Sequence, residues 1–152
     1  MLSFFKKKTI IPHVRMTGVI GSVGRFKQGL DLSNQQEILK KAFAYKKAKT
    51  VAISINSPGG SPVQSHLIYS YIRQLAKKHR TKVLIFAEDV AASGGYFIAC
   101  AGDEIYANSS SIIGSIGVIS ASFGFKDLIK KYGIERRIYT AGKNKSTLDP
   151  FV

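Results

Sequence analysis

The sequence has a single cysteine, nine acidic residues in 152, and no long apolar run. One cysteine excludes an intrachain disulfide framework and any multi-cysteine metal site. Cys100 sits among Ile98, Ala99 and Ala101 and reads as a small core residue, not a reactive thiol. No stretch reaches the roughly 18 uncharged apolar residues that a membrane-crossing helix needs. The N-terminus, Met1-Leu2-Ser3-Phe4-Phe5-Lys6-Lys7-Lys8, also lacks the form of a signal peptide, because its charges follow the hydrophobes instead of preceding them. A cytoplasmic or peripherally membrane-associated protein is therefore expected. The shortage of acids leaves a net charge of +14. Residues 1–50 hold eleven Lys/Arg against two Asp/Glu, so most of the excess lies in the N-terminal third. Such a face attracts anionic lipid or nucleic acid, or is simply solvated.

What is present describes a globular domain, with 45% hydrophobic and 21% charged residues. We expect a basic extension over residues 1–13 and one domain over residues 14–152. Val14 to Ile20 reads as a first strand. Ser33-Asn34-Gln35-Gln36 resembles a capping box, with a helix running to near Lys49. Thr50 to Ile55 alternates as a strand. After the turn Asn56-Ser57-Pro58-Gly59-Gly60, Pro62 opens a helix with an apolar stripe and a basic end. Lys82 to Ala87 and Glu104 to Ala107 are strands, Asn108 to Gly117 a Ser/Gly loop, Lys126 to Tyr132 a helix, and Arg136 to Thr140 a last strand. Alternation of this kind implies an α/β fold with mainly parallel strands, which binds ligands beyond the carboxyl ends of its strands.

Two turns then attract attention. Ala91-Ala92-Ser93-Gly94-Gly95-Tyr96 places a serine between small residues at a strand-to-helix turn, open as a nucleophile must be. The plain reading is a helix N-cap, and the two are compatible. The glycines of 56–60 let a backbone N–H approach a substrate oxygen closely beside a helix start. Both turns follow strands and share one edge of the sheet, which together suggests a nucleophile with an oxyanion hole. A serine needs a base, yet His13, His66 and His79 all precede it and read as surface or half-buried residues. A neutral lysine is the alternative. Lys126, Lys130 and Lys131 belong to a solvated helix. Lys143 and Lys145 follow a strand end and fit better.

The turn 56–60, Ala92-Ser93-Gly94-Gly95-Tyr96, the loop Gly114-Ser115-Ile116-Gly117-Val118 and Ala141-Gly142-Lys143-Asn144-Lys145 together resemble the bacterial signal peptide peptidase A family, with its SohB-like relatives. The resemblance covers about residues 14–150. It implies a Clp/crotonase-like βαβ superhelix and a Ser-Lys dyad. Matched position by position, Ser93 takes the place of the nucleophile and Lys145 of the general base. The N–H groups of Gly60 and Gly94 match the oxyanion hole, and Ser115 matches a serine that holds the lysine amine. Lys143 stands where the family requires no lysine. The implied chemistry is hydrolysis of signal peptides or other short apolar peptides through an acyl-enzyme, with no metal and no cofactor. It also implies assembly into homo-oligomers when the C-terminal part is present. Two departures stand out: members usually carry an N-terminal membrane anchor, and they continue well past the lysine, whereas this sequence stops at Val152. We therefore expect a peptidase domain that is incomplete at its C-terminus, with reduced or absent activity as the alternative.

Other classes are weaker. An acyl-CoA enzyme of crotonase type relies on carboxylates, for which Glu88 and Asp89 are the local candidates, expected at a strand end in solvent. A Clp-type triad needs a histidine after the serine, and none follows Ser93. Gly21-Ser22-Val23-Gly24-Arg25 has the GxxG form that clamps a nucleic-acid backbone. A turn between strands is the preferred reading, and nucleic acid is not an expected partner.

Overall fold

The computed structural model describes residues 10–21, 29–46, 48–141 and 146–151. The chain divides into two compact units, Met1–Val118 and Ile119–Val152. In the first unit the order is β1 (His13–Thr17), α1 (Leu32–Phe43), β2 (Thr50–Ser57), α2 (Pro62–His79), β3 (Lys82–Ala92), α3 (Gly94–Ala99), β4 (Glu104–Ala107) and β5 (Ile112–Gly114). The second unit contains α4 (Lys126–Lys131).

All strand pairings are parallel, in the order β1-β2-β3-β4, with β5 also pairing β3. The α/β fold with parallel strands expected from the alternation is the one observed. Val51, Ile53 and Ile55 of β2 and Val83 and Ile85 of β3 are fully buried in one cluster with Leu39 and Phe43 of α1 and Ile68 and Ile72 of α2. Burying each such side chain stabilises the unit by about 1.5–3 kcal/mol. This layer forms a rigid floor, and the carboxyl ends of β2 and β3 emerge from it at the two glycine turns.

The caps explain where the helices begin. Ser61 caps α2, its side chain accepting the Gln64 N–H, and Pro62 follows at the first turn. For α1 the cap is Asp31, not the expected Ser33. The Asp31 carboxylate accepts the Asn34 N–H at 2.9 Å and the Ser33 hydroxyl at 2.6 Å. A charged acceptor suits the positive helix end better than a hydroxyl does, and these bonds hold the Asp31 carboxyl below the usual carboxylate range, the Ser33 bond contributing most.

Four expectations need correcting. The first strand ends at Thr17 because Gly18 turns with φ +108°, and Ile20 makes only isolated bridges to Leu30 and Gly60. Helix α1 stops at Phe43, six residues short of Lys49. Strand β3 runs on to Ala92, because its last residues pair with β5, which lies inside the predicted Ser/Gly loop. In the second unit, residues 136–140 form no strand. A strand owes its stability to a partner ladder more than to its own composition, and this segment has no ladder among the described residues.

Candidate active site

The carboxyl ends of β2 and β3 lie in contact. Beyond β2, the Ser57 hydroxyl accepts the Gly59 N–H at 3.1 Å and shapes the turn into Gly59 and Gly60, both with positive φ (+99° and +145°). The Ile20 N–H donates to the Gly59 carbonyl and the Ser61 N–H to the Ile20 carbonyl, each at 2.8 Å. This bridge uses the groups on either side of Gly60, so the Gly60 N–H takes no part in it. A side chain at Gly60 would run into the Ile20 carbonyl.

Beyond β3, Ser93 has φ +52° and ψ −119°, a conformation that costs a non-glycine residue about 1–3 kcal/mol. It is held there from both sides. Its N–H donates to the Gly114 carbonyl of β5 at 2.7 Å, and its carbonyl accepts the Phe97 N–H at 2.9 Å. Ser93 occupies the N-cap position of α3, but its side chain makes no capping bond. The hydroxyl is therefore not spent on the helix. Gly94 opens the helix, where the first N–H groups have no intrahelical acceptor.

Gly60, Ser93 and Gly94 line one pocket of about 540 Å³. The rest of its wall is mostly apolar, with Pro62 from α2, Tyr96 and Phe97 from α3, and Ile116 and Val118 after β5. Phe97 is braced by Tyr69, the ring centroids 5.2 Å apart. His66 and Cys100 also line the pocket. Cys100 differs from expectation: it is exposed, not a core residue, because α3 ends at Ala99 and turns it outward. His66 lies on the pocket side of α2 with its ring centroid 6.0 Å from that of Phe97.

Ser115 is exposed, with φ +53°, next to the Gly114 that anchors Ser93. Lys143 and Lys145 lie outside the described residues, as do positions 22–25 of the GxxG stretch. His79 ends α2 and is exposed, while His13 on β1 contacts the Ser54 hydroxyl at 3.1 Å.

Glu88 and Asp89 are not at a strand end but inside β3, and neither lines the pocket. Arg15 donates two hydrogen bonds to Glu88, at 3.0 and 2.7 Å, and these hold its carboxyl below the usual range, opposite to what a general base near neutrality needs.

The reading from sequence missed Gly59. A Cβ built there would lie 2.8 Å from the Ser93 Cβ and 2.9 Å from the Gly94 nitrogen, so the Ser93 turn rests directly on Gly59. The doubled glycine was the available signal. Which glycine supports the serine depends on how two strands end in space.

Peptidase family S49 matches residues 75–152, half of the chain, and this span includes Ser93, Ser115 and Lys145. The Na(+)/H(+) antiporter NhaA of Brucella melitensis is 63% identical over 145 residues, 95% of this chain and 20% of that protein. The chloroplastic serine protease SPPA of Arabidopsis thaliana is 41% identical over 99 residues, 64% of this chain and 14% of that protein. The chain thus spans a small part of either relative. Among solved structures, ClpP1 from Listeria monocytogenes aligns over 59% of this chain and 46% of its own, with 22% identity and a TM-score of 0.44. Among the described residues no helix is long and apolar enough to cross a membrane.

Proposed function

Since the chain belongs to peptidase family S49, we propose that it carries the nucleophile end of a serine peptidase that cleaves short apolar peptides. Ser93 is the nucleophile. Its hydroxyl oxygen attacks the scissile carbonyl carbon while its proton passes to the neutral amine of Lys145. The N–H groups of Gly60 and Gly94 donate to the oxyanion of the tetrahedral intermediate, and Ser115 orients the lysine amine. On collapse the lysine ammonium returns the proton to the leaving nitrogen, which departs as an amine. Water, activated by the same lysine, then hydrolyses the ester of Ser93. The wall of Tyr96, Phe97, Ile116 and Val118 supports the apolar substrate class. Association of copies and contact of the basic N-terminal third with anionic lipid are further expectations of the same reading.

The observation that carries this proposal is the conformation of Ser93: a strained serine, its hydroxyl free of the helix cap, in a pocket shared with two glycine turns. Strain of this kind persists where the surroundings over-determine it. The test is labelling by a fluorophosphonate on the wild type, Ser93→Ala and Lys145→Ala. Labelling is expected only in the wild type, with a rate that rises as pH rises, because an amine serves as base only when neutral. Label retained in Ser93→Ala removes the assigned nucleophile, and label retained in Lys145→Ala removes the assigned base. A wild type that takes no label, when a chain extended to the length of its relatives does, places the activity in the longer protein.

A further inference from the structure

The pairing of β2 with β3 is interrupted just before the site. Ile55 pairs with Ala87, but Ser57 pairs with Ala91, so β3 advances four residues while β2 advances two. The two extra residues form a bulge within Glu88–Val90, and such a bulge bends and twists a strand. Before it, β3 pairs with β4 through Leu84–Ala87, and after it with β5 through Val90–Ala92. The bulge is thus where β3 leaves one neighbour for the other, three residues before Ser93.

One side chain spans it. The Asn56 amide nitrogen donates to the Asp89 carboxylate at 2.8 Å, and its amide oxygen accepts the Val90 N–H at 3.3 Å. The Asn56 backbone carbonyl meanwhile accepts the Gly18 N–H at 3.0 Å, which fixes Asn56 to the end of β1. On the other side the Ser111 hydroxyl donates to the Glu88 carbonyl at 2.6 Å. A bulge leaves ladder groups unpaired, and a buried or half-buried N–H left without an acceptor is costly. Asn56 supplies that acceptor, and only a side chain with both a donor and an acceptor makes the two bonds together.

We propose that Asn56 is a positioning residue for Ser93, pinning the β3 bulge so that the strand delivers Ser93 into its strained conformation over Gly59. The catalytic consequence rests on the reading of Ser93 as nucleophile. The pinning of the bulge does not.

The test uses the 152-residue chain with Asn56→Ala, Asn56→Asp and the exchange Asn56→Asp/Asp89→Asn, which reverses donor and acceptor across the same contact. Two quantities are read: hydrogen exchange of the Val90 amide, and the saturation kinetics of fluorophosphonate labelling at Ser93. In Asn56→Ala the Val90 amide loses protection. The maximal labelling rate falls at least about tenfold, while the concentration for half-saturation stays unchanged, since the reacting atom is displaced and the pocket wall is not. Asn56→Asp sets two carboxylates side by side and behaves alike, whereas the exchange recovers to within about threefold of wild type. The recovery separates positioning from general loss of fold, and it decides the matter if Asn56→Ala does not fold. Unchanged Val90 protection in Asn56→Ala, a wild-type labelling rate there, or an exchange variant no better than Asn56→Asp overturns the proposal. If label is retained in Ser93→Ala, the nucleophile reading fails, and the Val90 exchange alone decides whether Asn56 pins the bulge.

Discussion

Gly59 and Ser93 are packed backbone to backbone: a Cβ on Gly59 would lie 2.8 Å from the Ser93 Cβ and 2.9 Å from the Ala92 carbonyl oxygen. The end of β2 therefore serves as the seat of the turn after β3. Gly59 also has φ +99°, so any side chain there is strained as well as obstructed. Gly59→Ala should lower labelling of Ser93 about a hundredfold, because a displacement of about 1 Å at the reacting atom is enough for that. Gly18→Ala is the matched control. Its φ is +108°, but an added Cβ meets nothing within 4 Å. It should cost about 1 kcal/mol in urea unfolding and leave labelling unchanged. Equal labelling losses in the two variants would contradict the contact.

Ser93 holds its conformation at the expense of stability. Replacing it by glycine relieves a strain of about 1–3 kcal/mol and gives back about 0.5–1 kcal/mol through the freer unfolded chain. Ser93→Gly should therefore be more stable than wild type by about 1 kcal/mol while taking no label. Ser93→Ala keeps the strain and should unfold close to wild type. Denaturant melts of the three proteins give the comparison. A less stable Ser93→Gly would argue against strain.

Phe97 forms one side of the pocket, braced by Tyr69 and His66. Truncation to alanine removes surface that holds substrate in the ground state and the transition state alike. Phe97→Ala should raise KM for an apolar peptide about tenfold with kcat little changed. A fall in kcat at constant KM would assign Phe97 a different role.

Asp103, in the turn before β4, ties α2 to β3. Its carboxylate accepts the Val83 N–H at 2.7 Å and a hydrogen bond from Arg73 at 2.9 Å. These bonds, that from Val83 contributing most, hold its carboxyl below the usual range. A depressed carboxyl stabilises the fold above its unfolded value of about 3.9 and loses that contribution as pH falls through the lower folded value. Asp103→Ala should cost about 1 kcal/mol at neutral pH, discounted for its exposure to solvent. Urea melts should show the gap between wild type and variant shrinking below about pH 4. A gap independent of pH would mean that packing, not the ionised carboxylate, is what the substitution removes.

Much of this was legible without coordinates. The alternation in Val51, Ile53 and Ile55, the Ser61-Pro62 helix start and the breakers around them are local signals, and each element they mark is present. Asp31 takes the cap in place of Ser33 because the capping-box spacing pointed to Ser33, while the charge two residues earlier suits the helix end better and holds the Ser33 hydroxyl as well. Strand β5 was hidden because Ile112–Gly114 is three residues long and owes its form to β3. The segment 136–140 failed in the opposite way: β-like residues without a ladder do not make a strand.

The parallel α/β architecture, the two glycine turns and the serine between small residues were readable from short stretches of the chain. These depend on the period of apolar side chains and on which residues tolerate positive φ, both properties of short stretches. Packing in three dimensions sets the rest: Gly59 carries Ser93, Asn56 spans a bulge in another strand, Arg15 holds Glu88, and His66 and Cys100 face the pocket. Each of these joins residues from different elements, often more than thirty positions apart. Their distances follow from register and from where each strand bends, and no local pattern encodes a register that exists only once strands have paired.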